Sequence, residues 1–178
     1  MEQAQAIRPT APATLARTRA ITWEDPLVSA RAGANLSGIE YLRAISQGKL
    51  PPPPIALLLG FDLEEVAEGR VVFTAETGEH QYNPIGVVHG GVAATLLDSV
   101  MGCAVHSRLP RGRGYTTLEI KVNYVHAIKR DSGPLRAIGT VVHMGGKTAT
   151  AEARLTDREG RLCAHATTTC LLFGASAG

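Results

Sequence analysis

The sequence predicts an α+β domain: a curved antiparallel sheet wrapped around a long central helix. Two features of the chain carry this prediction. After Phe61 several segments alternate apolar and polar residues with a period of two, as half-buried strands do. The clearest sets Leu118, Ile120, Val122 and Tyr124 against Glu119, Lys121 and Asn123. Residues 90–105, by contrast, read GGVAATLLDSVMGCAV, enough for a helix of about four turns at ~3.6 residues each. Apolar or small residues occupy nearly every side of it, so the helix is expected inside the sheet rather than on the surface. Four or five strands in succession, joined by short turns, imply mainly antiparallel pairing.

The elements follow in order. Residues 1–36 are rich in Ala, Thr, Pro and Arg without a sustained period, and read as a flexible, loosely docked N-terminal extension. Ser37 opens a short helix with Ile39, Leu42 and Ile45 at helical spacing and Gly48 as its stop. The prolines at 51–54 fit neither a helix interior nor an inner strand, and form a stiff extended connector. Residues 55–59 add one helical turn before Gly60. Val71, Phe73 and Ala75 then alternate with Val72, Thr74 and Glu76; Leu135, Ala137, Gly139 and Val141 resume the pattern after Gly133 and Pro134. Ala149, Ala151, Ala153 and Leu155 face one way, with Thr148, Thr150, Glu152 and Arg154 facing the other. A turn at 157–160 leads into a closing strand at 162–173, and 174–178 is a C-terminal tail. The domain is therefore expected to span residues 37–173.

Composition narrows the function. At 178 residues the chain suits one domain with a substantial core, and 44% hydrophobic with 19% charged residues is globular composition. Only three Phe, four Tyr and one Trp are present, so the core must be built from aliphatics and alanines. A formal charge of +2, with Lys and Arg scattered, argues against nucleic acid as partner. Cys103, Cys163 and Cys170 are odd in number and lack CxxC spacing, which fits a reducing cytoplasm rather than a disulfide framework. No apolar run approaches the ~20 residues that cross a bilayer. Arg8, Arg17 and Arg19 with the single acid Glu2 suit a frayed N-terminus and, more faintly, a transit peptide.

Asp98 is the only formal charge between His89 and Arg108, in the middle of the helix expected to be buried. A desolvated carboxylate is expensive, and a chain keeps one for a structural network, an interface pair or catalysis. His89, Gly90 and Gly91 stand at the helix start. Two glycines allow close backbone approach, and first-turn N–H groups lack helical partners. With the positive end of the helix dipole, this makes a site for an anion or a developing oxyanion, or else a tight turn that serves packing. Asn83, in the loop before it, is of a type that forms turns and that can also orient a carbonyl through its amide.

The stretch Asn83-Pro-Ile-Gly-Val-Val-His89-Gly90-Gly91, followed by Asp98 and Ser99, resembles the PaaI-like branch of the hotdog-fold thioesterases. The likeness extends upstream through GIEYLRAISQGKLPPPPIALLLGFDL and downstream through the strand order, covering about residues 37–173. It implies the hotdog fold and hydrolysis of an acyl-CoA to free acid and CoA without a cofactor. The family role of general base, or nucleophile, falls on Asp98. Gly90 would donate its N–H to the thioester oxygen, with Gly91 beside it. Asn83 would orient the thioester or leaving group, and His89 would support the loop. A Ser or Thr that holds the attacking water matches Thr117, with Thr116 as the alternative by a one-residue slip. Lys147 would lie near the nucleotide end of CoA as a phosphate contact or, equally, be a solvated turn lysine, and Arg111 and Arg113 are similar candidates with a weaker claim. The family builds each site from two subunits, which implies a homodimer or homotetramer.

Other motifs are excluded. Gly146-Lys147-Thr148 looks like the end of a P-loop, but Val141 stands where its first Gly belongs and a strand follows. His80, His106, His126, His143 and His165 show no metal-ligand spacing, so no metal is expected. No GxSxG elbow is present. Two rival functions stand beside the hydrolase: a catalytically idle acyl-CoA-binding module, and an enoyl-CoA hydratase, whose usual pairing of His with Asp or Glu is not found.

Overall fold

The computed structural model describes residues 15–174. Three short helices precede the sheet: α1 (Pro26–Gly33), α2 (Gly38–Ser46) and α3 (Pro54–Leu59). Each has a local cause. The Asp25 carboxylate caps α1 by accepting the Leu27 N–H at 2.9 Å, with Pro26 preset at the first helical position. In α2 the Glu40 carboxylate accepts from both the Ser37 N–H (2.9 Å) and the Ser37 hydroxyl (2.6 Å). α3 begins on Pro54 and ends on Gly60, whose φ of 73° is the left-handed stop.

Six strands follow: β1 (Phe61–Ala67), β2 (Arg70–Ala75), β3 (Arg113–Tyr124), β4 (Leu135–Met144), β5 (Thr148–Thr156) and β6 (Leu162–Gly174). They pair antiparallel throughout, in the order β1-β2-β4-β5-β6-β3, so β1 and β3 are the edges. Between β2 and β3 the chain makes a 3-10 turn at Glu79–Gln81 and then the helix α4 (Gly90–His106). α4 lies across the sheet, against all five strands from β2 to β6. Alanines make that approach possible: Ala137, Ala149, Ala151, Ala153, Ala164 and Ala166 form a low inner surface. At Gly139 of β4 the contact is closest, since a Cβ there would lie 2.5 Å from the Val100 carbonyl oxygen. Leu96, Leu97, Val100, Met101 and Val105 fill the interface between helix and sheet.

Several expectations change. The segment before Ser37 is not uniformly loose, because α1 lies within it and the Ser29 hydroxyl donates to the Pro51 carbonyl at 2.7 Å. Residues 1–14 lie outside the described residues, as do 175–178. Pro54 belongs to α3 rather than to the connector, and Gly174 ends β6 rather than beginning a tail. Six strands form instead of four or five, because residues 61–67 pair separately with β2. α4 is not covered on every side: Val92, Thr95, Asp98 and Ser99 form a half-buried strip along it. In β3 the register slips between Thr117 and Glu119, and Leu118 bulges outward at 57% exposure. Leu118 therefore does not share the inner face of Ile120 and Val122. The bulge changes parity, which puts Tyr115 and Thr117 on the inner face before it and Ile120 and Val122 there after it.

Candidate active site

Asp98 lies two turns into α4, half-buried, on the strip that the sheet leaves open. The Thr117 hydroxyl donates to its Oδ1 at 2.9 Å. Among the described residues no cation pairs with it. The β3 bulge makes the Thr117 contact: it turns Thr117 inward and leaves Thr116 exposed, which removes Thr116 from consideration. The bulge is held in turn by the Thr168 hydroxyl, which donates to the Glu119 carbonyl at 2.6 Å. Burial, reinforced by the Asp98 charge, pushes the Cys103 thiol up to about 12. Burial also raises the Cys170 thiol and lifts the Tyr115 phenol well above its ordinary value, with smaller contributions from Asp98. These groups stay neutral near Asp98, so none of them competes with it for the role of base.

The start of α4 is organised by His89, its N-cap. The His89 N–H donates to the Gln81 carbonyl at 2.8 Å, and its Nδ1 accepts the Gly91 N–H at 2.9 Å. An accepting Nδ1 carries no proton, so the proton of the neutral ring sits on Nε2. The Gly91 N–H is thereby committed, and the Val92 N–H bonds the His89 carbonyl. The Gly90 N–H has no acceptor among the described residues. It is the free donor at the positive end of a 17-residue helix. Tyr124 covers Gly90 from β3: its hydroxyl donates to the Gly90 carbonyl at 3.1 Å. Asn83 acts first as a turn former, with its Oδ1 accepting from the N–H groups of Ile85 (3.1 Å) and Val87 (3.3 Å). Asn83, Gly90 and Tyr124 line one cleft of about 270 Å³.

The two halves do not meet within one chain. Eight residues of helix separate Gly90 from Asp98, ~12 Å at 1.5 Å per residue. The basic candidates divide as well. The Arg113 guanidinium donates to the Gly146 carbonyl at 2.9 Å, which brings Arg113 beside the exposed Lys147. The Arg113 Nε is buried without a partner among the described residues. Arg111 is drawn away from that corner, to the Asn35 side chain at 2.9 Å. Among the described residues no group of three His, Cys, Asp or Glu is placed to hold a metal, and no helix is long and apolar enough to cross a membrane.

Residues 85–164 match the model of the thioesterase superfamily, which takes in Asp98, Gly90 and Thr117. A hypothetical thioesterase protein from Streptococcus pneumoniae, solved with coenzyme A, is 32% identical, with a TM-score of 0.60 over 66% of this chain and 92% of that one. The chain belongs to the thioesterase superfamily. It is a thioester hydrolase with the hotdog fold. The 1,4-dihydroxy-2-naphthoyl-CoA hydrolase of Listeria monocytogenes is 26% identical over 104 residues, 58% of this chain and 83% of that protein. The PaaI protein of Escherichia coli shares the fold at a TM-score of 0.67, with 19% identity over 80% of this chain and 99% of that one.

The site thus holds a half-buried carboxylate bonded by Thr117 and, at the helix start, an N–H without an acceptor among the described residues. Sequence reasoning singled out both. It missed Tyr124, which closes the wall behind Gly90 and which the strand pattern counted only as one more inward apolar residue. Thr116 and Thr117 are not separable in the sequence, because an apolar residue at the bulge leaves the alternation of β3 looking regular.

Proposed function

We propose that this thioesterase hydrolyses an acyl-CoA at a site shared by two copies of the chain. Asp98 of one protomer draws a proton from a water, whose oxygen attacks the thioester carbon. The Gly90 N–H of the partner receives the negative charge that develops on the carbonyl oxygen, and the helix dipole adds to it. The carbon–sulfur bond then breaks, releasing CoA as its thiolate, which takes up the proton, and the free acid. Thiolate is a good leaving group, so the scheme requires neither a strong acid nor a cofactor. The Thr117 hydroxyl fixes one Asp98 oxygen and leaves the other for the water. Asn83, which lines the Gly90 cleft, orients the thioester through its amide nitrogen, and His89 holds the loop.

The observation that carries this reading is the Asp98–Thr117 pair: a half-buried carboxylate, hydrogen-bonded and without a cation, on an open strip of α4. Sharing between copies is supported by the ~12 Å between Asp98 and Gly90 along one helix. The twelve-residue edge strand β3, which runs past Thr117 and offers unpaired backbone groups to a second copy, supports it too. CoA as leaving group is supported by the coenzyme A held by the Streptococcus pneumoniae relative and by the Arg113–Lys147 corner, two cations suited to its phosphates. Arg111, engaged with Asn35, is left out of that corner. Residues 37–173 are taken as the catalytic domain, with the preceding segment as an extension docked on it.

Replacing Asp98 tests the proposal. Asp98→Asn keeps the shape and the Thr117 contact but removes the base. Turnover of acyl-CoA, followed as free thiol, should fall about 10²–10⁴-fold while CoA binding persists. An unchanged rate would end the general-base assignment. Saturable CoA binding without thiol release from any acyl-CoA would favour the idle binding module.

A further inference from the structure

An apolar cavity of about 390 Å³ lies between α2, α3, β1, the C-terminal part of α4 and the start of β3. Leu42, Ala56, Phe61 and Phe73 give it a greasy wall. Ser46 and Asp62 add polar groups to the lining, and three polar rings interrupt the wall: the Tyr41 phenol, the His106 imidazole and the Tyr115 phenol. Their rings form a chain, with centroids 5.5 Å apart for Tyr41–His106 and 5.7 Å for His106–Tyr115. None of the three side chains has a hydrogen-bond partner among the described residues. Burial holds the imidazole below its ordinary value and both phenols above theirs, so all three are neutral donors or acceptors near pH 7.

Two residues of the cavity lining neighbour the Asp98–Thr117 pair in sequence. Cys103, five residues after Asp98, lines it, and Tyr115 stands two residues before Thr117 on the same face of β3. Gly102, one turn beyond Asp98, lies against Tyr115: a Cβ there would come within 2.4 Å of the phenol oxygen. His106 is two turns beyond Asp98, ~12 Å along the helix.

Resting on the acyl-CoA reading above, we propose that this cavity receives the acyl group and that His106, flanked by Tyr41 and Tyr115, selects acyl groups with a hydroxyl at the end remote from the thioester. A plain hydrocarbon end would leave the three polar groups dry and unpaired, which is costly. A carboxylate end would meet no cation and would face Asp62, which also lines the cavity. A neutral hydroxyl both donates to and accepts from this set.

Matched substrates test it: ω-hydroxyoctanoyl-CoA against octanoyl-CoA, and para-hydroxycinnamoyl-CoA against cinnamoyl-CoA, each assayed for thiol release with the full chain. At least one hydroxylated member should show a kcat/KM at least about tenfold above its partner. In His106→Phe, which keeps a ring and loses the polar atoms, that ratio should fall to near one. Tyr41→Phe should lower it partway and serves as the second variant if His106→Phe does not fold. No preference in either pair, or a preference that survives both substitutions, overturns the proposal. The Kd values of the same pairs for Asp98→Asn separate this failure from that of the hydrolytic reading. Discrimination there that His106→Phe erases supports the cavity even if the wild-type protein releases no thiol, and equal Kd values count against it.

Discussion

Gly90 lines a cleft and its N–H has no acceptor among the described residues, while the next two amides are taken by His89. Because Gly90 is the first residue of α4, proline can stand there without breaking the helix. His89, at φ −61° and ψ 135°, already has the extended conformation required before proline. Gly90→Pro therefore removes the N–H hydrogen without breaking the helix but adds a ring, and Gly90→Ala controls for the added Cβ, which in either variant lies 3.2 Å from the Tyr124 ring. Steady-state assays should find kcat about 10²–10³-fold lower in Gly90→Pro, with a far smaller loss in Gly90→Ala. Equal losses would mean that the Tyr124 wall, not the N–H, matters. The residues of this site were legible because each is an anomaly: one acid in an apolar run, two glycines where a helix begins. The resemblance assigns the donor role to Gly90, whereas the residue types alone do not separate Gly90 from Gly91, since that depends on which amide the His89 ring captures. The Arg111–Asn35 bond is hidden for a similar reason, because the partners are 76 residues apart in sequence.

At the scale of elements, α4 was legible to within a residue because no other segment is long, apolar and free of proline. The paired alanines of β5 announced a flat inner face that a helix can approach closely. That closeness has a measurable consequence at Gly139, where a Cβ would sit 2.5 Å from the Val100 carbonyl oxygen and 3.0 Å from the Met101 nitrogen. Neither is the far end of a flexible side chain, so helix or strand must shift. Gly139→Ala should lower unfolding free energy in urea by about 1–3 kcal/mol. Gly146→Ala, with nothing within 4 Å of the added carbon, should stay within about 0.5 kcal/mol. What the sequence concealed were features without a periodic trace. α1 is held by an Asp25 cap and a Ser29–Pro51 bond rather than by an apolar stripe. The β3 bulge inserts an apolar residue into an apolar alternation, so parity changes while the pattern does not.

For the molecule as a whole, stability and activity each depend on groups far apart in sequence. His106 is held neutral by burial, so the unfolded chain binds its proton more readily than the folded one. Its contribution is complete above the unfolded value of about 6.5 and is lost as pH falls through the depressed folded value. The thermal midpoint should decline between about pH 7.5 and 5.5, and His106→Phe should flatten that decline. Activity is expected to depend on two chains at once. If Asp98 of one protomer serves Gly90 of its partner, two inactive variants can repair each other. In a heterodimer of Asp98→Asn with Gly90→Pro, one site carries both lesions and the other carries neither. Co-refolding equal amounts should restore about a quarter of wild-type turnover, since half the dimers are mixed and each has one intact site. Each variant refolded alone should stay inactive. A site contained within one chain predicts no recovery at any mixing ratio, because every chain in the mixture would then hold one of the two lesions.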